Sequence, residues 1–104
     1  MKVHAWKVDA RYTDRCKYYI QLNDIPGKRV FNRLVKEMKE EWNIFGDGFD
    51  KHKEKFVMLA TREFDSKQEW VKWARKFPYD VVEYTRDGKP KPIKLGTNYR
   101  RKAN

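Results

Sequence analysis

The chain is poor in cysteine, histidine, glycine and proline, and it has no long apolar run. Cys16 is the only cysteine, so no intrachain disulfide can form, which fits a reducing compartment. His4 and His52 are the only histidines, and neither their spacing nor their neighbours suit a metal centre or a catalytic triad. The longest apolar run, Phe56 to Ala60, is far shorter than the ~20 residues a membrane-spanning helix needs. The opening residues, MKVHAWKVDARY, lack the apolar core of a signal peptide, so a cytoplasmic location is expected. Five glycines and four prolines are too few for a low-complexity segment, and no repeat is visible.

Acidic residues are also scarce. Fifteen Asp and Glu face 25 Lys and Arg, giving a net charge of +10. Such a charge favours an anionic partner, either nucleic acid of unspecified type or an acidic protein surface. Six Phe, six Tyr and four Trp compensate for an apolar fraction of 39%, because each ring buries a large area. A chain of 104 residues is one domain by size and can close a single core unaided.

The clearest periodic stretch is Pro26 to Trp42. Val30, Phe31, Leu34, Val35, Met38 and Trp42 fall within an arc of roughly 140° on a helix. Lys28, Arg29, Arg33, Lys36 and Lys39 lie on the other side, so the helix buries one face and shows a basic one. Asp24 is the expected cap, with Pro26 near the first helical position. A second helix is expected from Ser66 through about Phe77, stopped by Pro78. Ser66 and Glu69 have the spacing of a capping box. Trp70, Val71, Ala74 and Phe77 form its inner face, with Trp73 on the border. Lys72, Arg75 and Lys76 point outward.

Alternation predicts strands at Val3–Tyr12 and Arg15–Leu22, joined as a hairpin at Thr13-Asp14 or running on as one bent strand. The run around Phe56–Ala60 suits a central strand covered on both faces. Residues 79–85 form another strand. Asp87-Gly88 then carries the chemistry of a two-residue hairpin turn. Pro90 and Pro92 restrict the return to an edge strand or an extended arm. Asn43 to Glu54 reads as a loop, with Gly46 and Gly48 around Asp47, and Ile44, Phe45 and Phe49 partly tucked under the core.

The expected architecture is α+β, a two-layer sandwich with two amphipathic helices on one face of a four- to five-stranded, mostly antiparallel sheet. It is ferredoxin-like or a variant, with a partly parallel βαβαβ sheet as the competitor. Residues 1–95 form the domain and residues 96–104 a basic, flexible tail.

Two functions fit. The first is non-catalytic nucleic-acid binding. Arg11, Arg15, Lys17 and Tyr19 lie in the N-terminal hairpin, where Trp6, Tyr12 and Tyr19 can stack bases. Lys28, Arg29, Arg33 and Lys36 form the helix face, and Lys89, Lys91, Lys94, Arg100, Arg101 and Lys102 a C-terminal arm without a single acid. The second is a protein-interaction factor, an inhibitor or adaptor that docks through Trp42, Phe45, Phe49 and Trp73. Catalysis is not expected. Asp47, Asp50 and Glu54 are the nearest thing to a Mg²⁺ cluster, and Lys51, Lys53 and Lys55 dilute it. No cofactor or metal is expected.

Overall fold

A computed structural model describes residues 1–8, 16–91 and 93. The described residues form six strands and two helices: β1 (Lys2–Lys7), β2 (Cys16–Ile25), α1 (Lys28–Met38), β3 (Asn43–Asp50), β4 (Lys55–Phe64), α2 (Lys67–Lys76), β5 (Asp80–Tyr84) and β6 (Pro90–Lys91). The strands make one mixed sheet in the order β3-β4-β2-β1-β5-β6. Every pairing is antiparallel except β1 with β5. The α+β class and the two-layer reading hold. The strand count and the ferredoxin-like arrangement do not. The run β2-α1-β3-β4-α2-β5 has the βαββαβ element order. However, β1 folds back beside β2 and is wedged between it and β5, so the strands flanking β1 never meet.

Alternation decides which residues face the helices. Val3, Ala5, Tyr18, Ile20, Leu22, Met58 and Ala60 point to one side and are buried. Against them pack Leu34 and Met38 of α1 and Trp70, Val71 and Ala74 of α2. Trp70 is at the centre. It stacks on Tyr18 at 4.0 Å between centroids, meets Phe64 edge-on, and its indole N–H donates to Glu83 Oε1 at 3.0 Å. Glu83 is the one buried charged residue among those described, and its other oxygen pairs with Lys91 Nζ at 3.3 Å. Burial first, and then the charge of Glu83, hold the Tyr18 phenol well above its ordinary range, so it stays neutral.

Both helices form where periodicity places them. α1 ends at Met38, a turn before the expected limit, and Trp42 then folds under it. Its cap is Gly27, at φ 91°, which has no side chain to bond the first amides. Asp24 is not the cap. Ile25 is fully buried at the end of β2, which keeps Asp24 in extended backbone ahead of the helix. In α2 the Ser66 hydroxyl accepts from the Glu69 amide at 3.3 Å. The Glu69 carboxylate turns to Lys72 at 3.6 Å. Removing the cap with Ser66→Ala should cost about 1 kcal/mol in urea denaturation. A change below about 0.3 kcal/mol would mean that tertiary packing alone holds α2.

Two local expectations are corrected. Asn43 to Glu54 is not a loop: its first eight residues are β3, paired along β4, and only residues 51–54 turn. Two glycines hide the strand in the sequence, because they have no β propensity to show. Pairing with the ten-residue β4 overrides them. The Asp87-Gly88 turn holds three residues rather than two. Thr85 N–H donates to the Lys89 carbonyl at 2.7 Å, Gly88 N–H donates to Thr85 at 2.9 Å, and Gly88 takes φ 87°. That is a type I turn closed by a left-handed glycine. The Thr13-Asp14 break and the tail at 96–104 lie outside the described residues.

Candidate nucleic-acid interface

Alternation that buries one set of residues must turn the other set to the opposite face. Among the described residues no helix covers that face. It carries His4 and Trp6 of β1, Lys17, Tyr19 and Gln21 of β2, Val57, Leu59 and Thr61 of β4, and Val82 and Tyr84 of β5. The rings meet in a continuous row. Tyr84 lies 5.2 Å from Trp6 between centroids, Trp6 lies 5.4 Å from Tyr19, and Tyr19 lies 5.8 Å from Phe45. Successive rings tilt by only 23° to 32°. Phe45 reaches Tyr19 over β4 because β3 bulges between Ile44 and Gly46, which places Phe45 on this side. Gly46 lies beside it opposite Leu59, where a Cβ would press within 3.2 Å of Leu59 Cδ1.

His4 anchors the far end. Its Nδ1 lies 2.6 Å from the Tyr84 hydroxyl, and the two rings stack at 5.6 Å. The parallel pairing of β1 with β5 sets this contact, since it brings Trp6 opposite Tyr84. Where those two strands end, Trp6 and Tyr84 share a cleft of about 460 Å³ with Lys7, Thr85, Arg86 and Lys91. The row therefore runs into a cleft that Glu83 also lines, where it is paired with Lys91. Along the row itself charge is balanced: Lys2 lies opposite Asp80, Lys17 opposite Glu63 and Lys55 opposite Asp50.

The residues expected to act together separate into two faces. Lys28, Arg29, Arg33 and Lys36 are exposed on α1, with Lys72 and Lys76 on α2. That basic layer and the ring row lie on opposite sides of the sheet. One strand of nucleic acid cannot touch both without passing around an edge. Lys17 and Tyr19 sit together on the ring face. Lys89 is exposed in the last turn, whereas Lys91 is engaged with buried Glu83. Arg11, Arg15, Lys94, Arg100, Arg101, Lys102 and Tyr12 lie outside the described residues.

Of the four aromatic anchors, Trp42 is a core residue and not a surface group. It packs against Phe64 at 5.9 Å and Trp73 at 4.9 Å, and it is only 4% exposed. The chain bends after α1 and brings it under the helix. Trp73 is half-buried, stacked between Trp70 and Phe77. Phe45 and Phe49 are 53% and 51% exposed, the only large apolar side chains so open among the described residues. The acidic set dissolves as a metal site. Asp50 Oδ1 accepts from the His52 and Lys53 amides, which makes it a turn residue, and no group of three candidate ligands converges among the described residues. No described helix is long and apolar enough to cross a membrane.

His4 and Tyr84 were missed as members of the row. Alternation put each on a strand, but only the β1–β5 pairing brings them together. Compared with family models, curated proteins and solved structures, the chain matches none.

Proposed function

We propose that the protein binds single-stranded nucleic acid on the uncovered face of its sheet, without catalysis. One observation carries this reading: an unbroken row of rings, Phe45, Tyr19, Trp6 and Tyr84, on a sheet face that no described element covers. A face meant for the solvent alone does not need four contiguous aromatics. Bases offer flat apolar surfaces that stack on such rings whatever their sequence. Lys7, exposed in the cleft at the end of the row, supplies charge for phosphates. The basic helix faces act at a distance. They raise the local concentration of a polyanion and speed its arrival, while the rings hold the bases.

The test is fluorescence anisotropy with labelled single-stranded RNA, single-stranded DNA and duplex DNA at two salt concentrations. Single strands are expected to bind at least tenfold tighter than duplex, because duplex bases are already stacked and cannot reach the rings. Trp6 fluorescence should change on binding. Equal binding of all three, lost together at physiological salt, would overturn the proposal. Deleting residues after Leu95 removes Arg100, Arg101 and Lys102. It should reduce the salt slope for single strands by about 2 if all three contact phosphate, and leave the preference for single strands intact.

A further inference from the structure

The two edges of the sheet are built differently. β6 is two residues long and made of Pro90 and Lys91. A proline and a lysine on a short strand are common defences against further pairing. β3 forms the other edge, and it has eight residues with neither proline nor lysine. Its one protective device is the bulge between Ile44 and Gly46. Beyond it the pairing runs in register from Gly46 to Asp50, so this stretch presents regular unpaired backbone on its outer side. Phe45 and Phe49, the two most exposed large apolar residues among those described, are both on this strand. A Cβ added at Gly48 would meet nothing within 4 Å, so there is room for a neighbour's side chains.

The charge of this edge is opposite to that of the rest of the chain. Between Lys39 and Lys51 lie Glu40, Glu41, Asp47 and Asp50, with no Lys or Arg. Glu41 is bound to Arg62 at 3.0 Å and Asp50 lies opposite Lys55, which leaves Asp47 as the edge's own exposed charge. A second copy pairing β3 with β3 in the register that sets Asp47 opposite Asp47 would be opposed by like charges across the ladder.

We infer that β3 accepts an extended, lysine- or arginine-bearing segment of another protein as a seventh strand. Its backbone would complete the ladder, its apolar side chains would lie on the uncovered face beside Phe45 and over Gly46 and Gly48, and its cations would face Asp47 on the helix side. This site lies at the sheet edge and takes a polypeptide, so it stands apart from nucleic-acid binding on the face. The two readings share only Phe45.

The experiment titrates the full chain with an acetylated eight-residue peptide of alternating lysine and valine, and reads amide hydrogen exchange and affinity. Saturable binding is expected, with exchange slowed at the Gly46–Asp50 amides. A peptide of alternating glutamate and valine should bind at least tenfold more weakly. Asp47→Lys should weaken the lysine peptide at least tenfold, and Phe45→Ser should weaken it without reversing the charge preference. Both positions are exposed, and circular dichroism confirms that each variant is folded. Four results would overturn the inference: equal binding of the two peptides, protection elsewhere than β3, no effect of Asp47→Lys, or protection of β3 by self-association without peptide. The last would assign the edge to a second copy.

Discussion

Trp6→Ala is expected to weaken single-stranded nucleic-acid binding by about tenfold or more, and Trp6→Ala with Tyr84→Ala by about a hundredfold. Loss of one stacked ring removes about 1–3 kcal/mol per base, or roughly 5- to 150-fold in affinity. Trp6 is the ring to choose because it touches His4, Tyr19 and Tyr84, and so holds the row together. Both side chains lie outside the buried core, so truncation should leave the fold in place, and the thermal midpoint checks this. Trp6→Phe should recover most of the affinity, since it keeps a flat face. Charge removal on the helices should behave differently. Lys36→Gln should lower affinity for single strands and duplex alike, with a shallower salt slope. If Trp6→Ala acted through the salt slope, or if Lys36→Gln abolished the preference for single strands, the division of labour between the two faces would be wrong.

The largest expected effect on stability belongs to Trp70. Trp70→Ala removes a fully buried indole from between Tyr18, Phe64 and Trp73, and should cost about 3–5 kcal/mol. A domain of this size has ~5–15 kcal/mol in all, so part of the population should unfold at 37 °C. Trp70→Phe separates packing from hydrogen bonding. It keeps an aromatic ring on Tyr18 but deprives Glu83 Oε1 of its indole donor inside the core. A buried acceptor left without a partner costs about 1–3 kcal/mol, added to the smaller loss of ring volume. Circular dichroism in urea is the measurement, because tryptophan fluorescence changes with the substitution itself. A cost below about 0.5 kcal/mol for Trp70→Phe would mean that Lys91 alone satisfies Glu83.

These two tryptophans show how differently the two layers could be read in advance. Trp70 follows a serine cap and recurs with Val71 and Ala74 at helical spacing, so its burial was legible. Trp6 alternates with Val3 and Ala5, which placed it on the opposite face of its strand. Nothing local said whether that face was covered, or which rings stood beside it. Tyr84 is 78 positions away in sequence. Only the parallel pairing of β1 with β5 puts the two rings 5.2 Å apart. Trp42 was misplaced for a related reason. Helical spacing correctly put it on the apolar side, but its depth depends on the bend after Met38 and on Phe64 and Trp73, which arrive later in the chain. β3 was hidden because glycines at 46 and 48 carry no strand preference, and its partner β4 supplied the conformation.

The sequence by itself determined the two helices, their buried and basic faces, the strand character of β1, β2, β4 and β5, and the excess of positive charge. These follow from periodicity, capping and composition, which act over a few residues. The tertiary structure alone decided that β1 stands between β2 and β5, that the rings join into one row, that the helix cations lie on the other side of the sheet, and that β3 is an open edge. These features depend on which distant strands pair. Pairing is settled by the core as a whole, when Trp70, Tyr18 and the alternating strand residues close around it.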